Sequence, residues 1–140
     1  MRRMLSLVLL IVAVAAAGDN HPTLKRKIAC KTSVNADSCF WTHGRLSFYN
    51  GTPAFRLWKI GTHRLLGIYS GPGAEESDVL DNEHPELPAN VQAKLKSLGT
   101  SIYADFEVCP LEPERVGEMQ AACIESASHL VVEDSSKQHR

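Results

Sequence analysis

The sequence predicts a mainly β domain, in which five strands form a barrel and one helix lies between the third and fourth strands. Three observations predict it. Short alternating apolar runs recur between turn signals from Phe40 to Val132. Two turn dipeptides, Asn50-Gly51 and Gly61-Thr62, agree on which face of the run between them points inward. One segment with helical spacing, Leu87 to Leu98, interrupts the series.

The chain opens with Met1-Arg2-Arg3-Met4, then the apolar run Leu5–Ala17 ending in Ala15-Ala16-Ala17, then polar Gly18-Asp19-Asn20. This is the pattern of a secretory signal peptide, expected over residues 1–17. The run is shorter than the roughly 20 apolar residues of a membrane-spanning helix. The first cysteine is Cys30, too far along for a lipid-anchored start. The expected location is therefore secreted or periplasmic, with no stable membrane anchor once the signal is cleaved.

The chain has 140 residues, 44% hydrophobic and 22% charged, which suits one folded domain rather than a disordered chain or a membrane bundle. The net charge is −1, and loss of Arg2 and Arg3 with the signal makes the chain more acidic. A nucleic-acid partner needs a basic surplus and is not expected.

The elements follow in order. Residues 18–38 are polar without period, an expected exposed leader pinned by Cys30. In Phe40–Tyr49, Phe40, Leu46 and Phe48 share a face with Gly44. After Asn50-Gly51, the second run extends from Thr52-Pro53 to Ile60. After Gly61-Thr62, the third is His63–Tyr69. A two-residue first turn sets Leu46 opposite Phe55 and Gly44 opposite Leu57. The second sets Leu57 opposite Leu66 and Phe55 opposite Ile68. The predicted inner face is Phe40, Leu46, Phe48, Phe55, Leu57, Leu66 and Ile68. Ser70–Glu86 is a long acidic loop. Leu87–Leu98 reads as a helix, with Pro88 in its first turn, Val91, Leu95 and Leu98 on one face, and Gly99 at its end. Ile102, Ala104, Phe106 and Val108 face inward on the fourth strand, and Ala122 and Ile124 on the fifth, within 119–132. A disordered polar tail is expected over 133–140, outside a β domain spanning 39–132.

Four cysteines in an exported chain predict two disulfides, with three pairings open. Cys109 and Cys123 share the outer face of two adjacent strands, which favours Cys109–Cys123 and, by remainder, Cys30–Cys39. Their spacing lacks the close C-x2–4-C pair of a zinc site and the C-x-x-C of a thioredoxin-like redox protein, so no metal or cofactor is expected.

Three strands, a helix and two strands is the element order of an OB-like barrel, β-β-β-α-β-β. An open α+β sheet is the competing arrangement. The stretches Cys39-Phe40…Gly44-Arg45-Leu46, Asn50-Gly51-Thr52-Pro53, Arg56-Leu57-Trp58, Gly61-Thr62, Asp105–Pro110 and Cys123–Ala127 resemble small exported bacterial proteins of uncharacterised function. The likeness spans 39–130. It implies an envelope protein with an OB-like barrel and brings no activity with it.

The outer face of the first three strands is the candidate site. The expected register sets Arg45 opposite Arg56, His43 opposite Trp58 and Trp41 opposite Ile60. Facing arginines repel unless an anion or carboxylate lies between them. A ligand-binding set of Arg45, Arg56, Trp58 and His43 follows, offering guanidinium forks and a stacking ring. Against it, Asp105 or Glu107 on the fourth strand would neutralise Arg45. Asp78, Asp81, Asn82 and Glu83 lack the spacing of an EF-hand. G-x-S-x-G, H-E-x-x-H and the P-loop are missing. The expectation is a non-enzymatic binding module for an anionic small molecule, a glycan or an envelope protein. The alternatives are a small secreted hydrolase and an inhibitor acting through loop 70–86.

Overall fold

The computed structural model describes residues 26–74, 83–95 and 98–135. The signal segment, the acidic stretch 75–82 and residues 136–140 lie outside the described residues.

Five strands form one sheet: β1 (Phe40–Phe48), β2 (Phe55–Lys59), β3 (Leu65–Ile68), β4 (Thr100–Pro110) and β5 (Gln120–Asp134). The sheet closes on itself in the order β1-β2-β3-β5-β4, with β4 returning to β1. All pairings are antiparallel except β3 with β5, where Leu66–Ile68 run parallel to Gln120–Ala122. Strand period two puts alternate residues inside. Leu46, Leu57, Leu66, Ile68, Ile102, Ala104, Phe106, Val108, Ala122 and Ile124 are buried in one core. Each large aliphatic or aromatic side chain there contributes on the order of 1.5–3 kcal/mol. Phe40 and Phe55 pack at its margin, and Phe48 stacks on Phe55 at 4.9 Å. Gly44 lets β1 and β2 close together, since a Cβ there would stand 2.7 Å from Leu57 Cδ1.

The expected register of the first hairpin is corrected by two residues. Leu46 pairs with Leu57, Phe48 with Phe55 and Gly44 with Lys59. The connection runs from Tyr49 to Ala54, closed by the Tyr49 N–H on the Ala54 carbonyl at 2.8 Å. Pro53 has no N–H to give the ladder, so pairing begins beyond it. A slip of two leaves every side chain on its expected face, which is why the core survives the error. The second hairpin pairs as expected, Leu57 with Leu66 and Trp58 with Leu65.

The helix α1 is shorter than expected, Ala89–Gln92. Turn-like bonding continues to Leu95, whose N–H reaches the Val91 carbonyl at 3.1 Å. One turn suffices to bury Val91 and press Leu87 and Leu95 on the core, and a short helix has no independent stability to extend it. β5 runs past the expected tail boundary to Asp134, held by Thr100↔Asp134 and Ser101↔Glu133.

The disulfides are Cys30–Cys123 and Cys39–Cys109, which corrects both expected pairings. Because β1 pairs with β4 as Phe40↔Val108, the next position outward sets Cys39 against Cys109, with Cα atoms 4.1 Å apart. Cys123 then takes Cys30. The leader is not wholly exposed. Cys30 is buried, and Arg26 donates to the carbonyls of Ile28, Ile124, Ser70 and Glu86 at 2.5–2.9 Å. Glu86 Oε2 in return accepts the N–H groups of Lys27 and Ile28. Two disulfides mark a chain that folds in an oxidising environment, extracellular or periplasmic.

Candidate functional site

On β1 the outward positions are Trp41, His43 and Arg45. The corrected register separates the two arginines. Arg45 faces Trp58, and Arg56 faces Ser47. Arg56 Nε donates to the Pro53 carbonyl at 3.1 Å, with its guanidinium 5.0 Å from the centre of the Tyr49 ring. Arg45 lies 5.9 Å from the Tyr103 ring centre, and its Nε, shut from solvent and without a hydrogen bond, is 3.9 Å from Glu133 Oε2. Glu133, not Asp105 or Glu107, is the carboxylate beside Arg45. Trp58 donates its indole N–H to the Thr62 carbonyl at 2.8 Å and leaves its ring partly exposed. His43 does not face Trp58. It faces Asp105, and its carbonyl takes the Ile60 N–H at 3.1 Å. Trp41 faces Glu107 rather than Ile60.

Cross-strand pairing assembles a row that crosses all five strands: Leu65 on β3, Trp58 on β2, Arg45 on β1, Tyr103 on β4 and Val131 on β5. Leu65 and Val131 are exposed at 42% and 63%. Outward positions of a solvated sheet are ordinarily polar. Here the centre is an arginine flanked by two aromatic rings and two aliphatic ends.

Two residues along β1 lies a polar cluster. Asp105 Oδ1 meets His43 Nδ1 at 2.9 Å, and Oδ2 meets His129 Nδ1 at 2.9 Å. Hydrogen bonds from His43 first, then His129, hold the Asp105 carboxyl below its ordinary range. His129 is the residue that sequence reasoning missed. It reaches Asp105 because β5 is irregular between its pairings with Tyr103 and Asp105, and His129 there has φ 54°. A bulge leaves no trace in an alternating pattern beyond a disturbed period. The Ser128 hydroxyl lies 3.3 Å from the same His129 Nδ1. That excludes a nucleophilic relay in this arrangement, since such a relay uses one ring nitrogen for the hydroxyl and the other for the carboxylate.

Glu107 belongs to a third set. Lys31 Nζ reaches Glu107 Oε1 at 2.6 Å and the Ser126 hydroxyl donates to Oε2 at 3.0 Å. The Lys31 hydrogen bond lowers the Glu107 carboxyl, while burial opposes it, and the same hydrogen bond raises the Lys31 ammonium. Among the described residues, no three His, Cys, Asp or Glu groups converge to hold a metal ion. Comparison with protein-family models, with curated proteins and with solved structures finds no match to this chain.

Proposed function

We propose that the chain is an exported, non-enzymatic binding module with an OB-like barrel, which holds an extended ligand on the outer face of its sheet. The observation that carries this reading is the outward row Leu65–Trp58–Arg45–Tyr103–Val131, exposed at Leu65, Trp58 and Val131 and half-buried at Arg45 and Tyr103. Tryptophan, tyrosine and arginine are the side chains that contribute most when a surface is desolvated by a partner. The ring order, with β3 parallel to β5, supports an OB-like barrel, and such barrels bind ligands on this side of their second and third strands. Export through the segment 1–17 agrees with the oxidising compartment that the disulfides need. A small anion is the least supported of the ligand classes, because Arg45 and Arg56 are not opposed and Arg45 already has the Glu133 carboxylate beside it. The shared nitrogen in the Ser128–His129–Asp105 group disfavours a hydrolase.

The test is a capture experiment on envelope extract with tagged residues 18–140. The variant Trp58→Ala with Val131→Asp keeps the melting temperature and loses the captured material. Equal capture by both proteins removes this face from consideration.

A further inference from the structure

The carboxylate of Asp105 accepts only, so both His43 and His129 give it their Nδ1–H. An uncharged imidazole that donates through Nδ1 keeps a bare lone pair on Nε2. Both rings are largely exposed, so in their uncharged form they offer two such acceptors beside Asp105. The Ser128 hydroxyl stands beside them. Trp41, 57% exposed, lines the same open depression of about 400 Å³ together with Thr42, His43, Asp105 and Ser128. His129 is held against Asp105, at the edge of this depression, by a left-handed backbone that non-glycine residues adopt at a cost. Strain of this kind persists where a side chain is being aimed.

The chemistry of a fitting ligand follows. The surface offers acceptors and one apolar ring, so the ligand needs several donors and an apolar face. The carboxylate charge is already met by two ring N–H groups, so an added cation is not required. A pyranose ring satisfies these demands, with hydroxyl donors around its edge and C–H groups on its face.

We propose that the Trp41–His43–Asp105–His129 cluster is a binding subsite for a neutral oligosaccharide, the sugar face lying on the Trp41 indole. This rests on the binding-module reading and names its ligand class. The experiment is titration calorimetry at pH 8 with residues 18–140. The probes are hexasaccharides of glucose, of N-acetylglucosamine and of mannose, with tetralysine as the cationic control. At least one neutral hexasaccharide binds. Trp41→Ala weakens it tenfold or more, His129→Ala and Asp105→Asn weaken it severalfold, and all three variants melt cooperatively. Binding of none of the hexasaccharides, binding of tetralysine alone, or affinities unchanged by Trp41→Ala and His129→Ala overturns the proposal. If Trp58→Ala with Val131→Asp still loses its captured material in that event, the module reading stands while the sugar subsite falls.

Discussion

Cys109 and Cys123 face each other directly across β4 and β5, yet neither bonds the other. Cys109 bonds Cys39, which stands just before β1, and Cys123 bonds Cys30. The observed bonds tie two points of the N-terminal segment, Cys30 and Cys39, to β5 and β4.

Removing the Cys30–Cys123 bridge as Cys30→Ala with Cys123→Ala should cost about 2–5 kcal/mol, because the bond spans 93 residues of chain. It also frees the segment around Arg26 and Lys31. Urea unfolding reads the first effect, and faster tryptic cleavage at Lys27 or Lys31 under native conditions reads the second. Native cleavage at the wild-type rate would show that the bridge does not hold the segment down.

Arg26 joins three parts of the chain by donating to carbonyls of Ile124, Ser70 and Glu86. A lysine has one ammonium in place of a planar fork and cannot span them. Arg26→Lys should therefore be nearly as destabilising as Arg26→Ala, by about 1–3 kcal/mol each. Full recovery by lysine in thermal unfolding would mean that charge alone matters there.

Gly44 has no room for a side chain. A Cβ would stand 2.7 Å from Leu57 Cδ1 and 3.2 Å from the Trp58 carbonyl oxygen. Gly44→Val should destabilise the domain by about 1–3 kcal/mol or more, since the core on one side and the backbone on the other both resist. The denaturation midpoint checks it, and a midpoint equal to wild type would contradict the tight β1–β2 approach.

Acid should weaken the fold through Asp105 and Glu107. Hydrogen bonds from His43 and His129 depress the first carboxyl in the folded state, and the Lys31 hydrogen bond depresses the second. A depressed folded value contributes stability that is present above the unfolded carboxylate pKa, about 4, and is lost as pH falls through the lower folded value. The stability difference between wild type and Asp105→Asn should stay level near pH 7 and shrink below about pH 4. Urea midpoints measured from pH 7 to pH 2 decide it. A difference that grows toward low pH has the wrong sign for this account.

The face assignments were legible because period two is written directly in the residues. Leu46, Leu57, Leu66, Ile102, Phe106 and Ile124 all lie inside as their alternation requires. The first hairpin pairing was not, because a longer loop ending near Pro53 leaves the same faces as a tight turn at Asn50-Gly51. The site followed the pairing. Arg45 and Arg56 parted when the register moved, and His129 joined Asp105 through a bulge that the residue pattern does not show.

The sequence by itself determined the strand series, the inward residues and the need for two disulfides, since apolar periodicity and an even cysteine count are local properties. The tertiary structure alone decided which cysteines bond, which outward side chains are neighbours, and how far the helix runs. Those depend on contacts between segments distant in the chain, where a shift of two residues leaves burial unchanged but replaces every cross-strand partner.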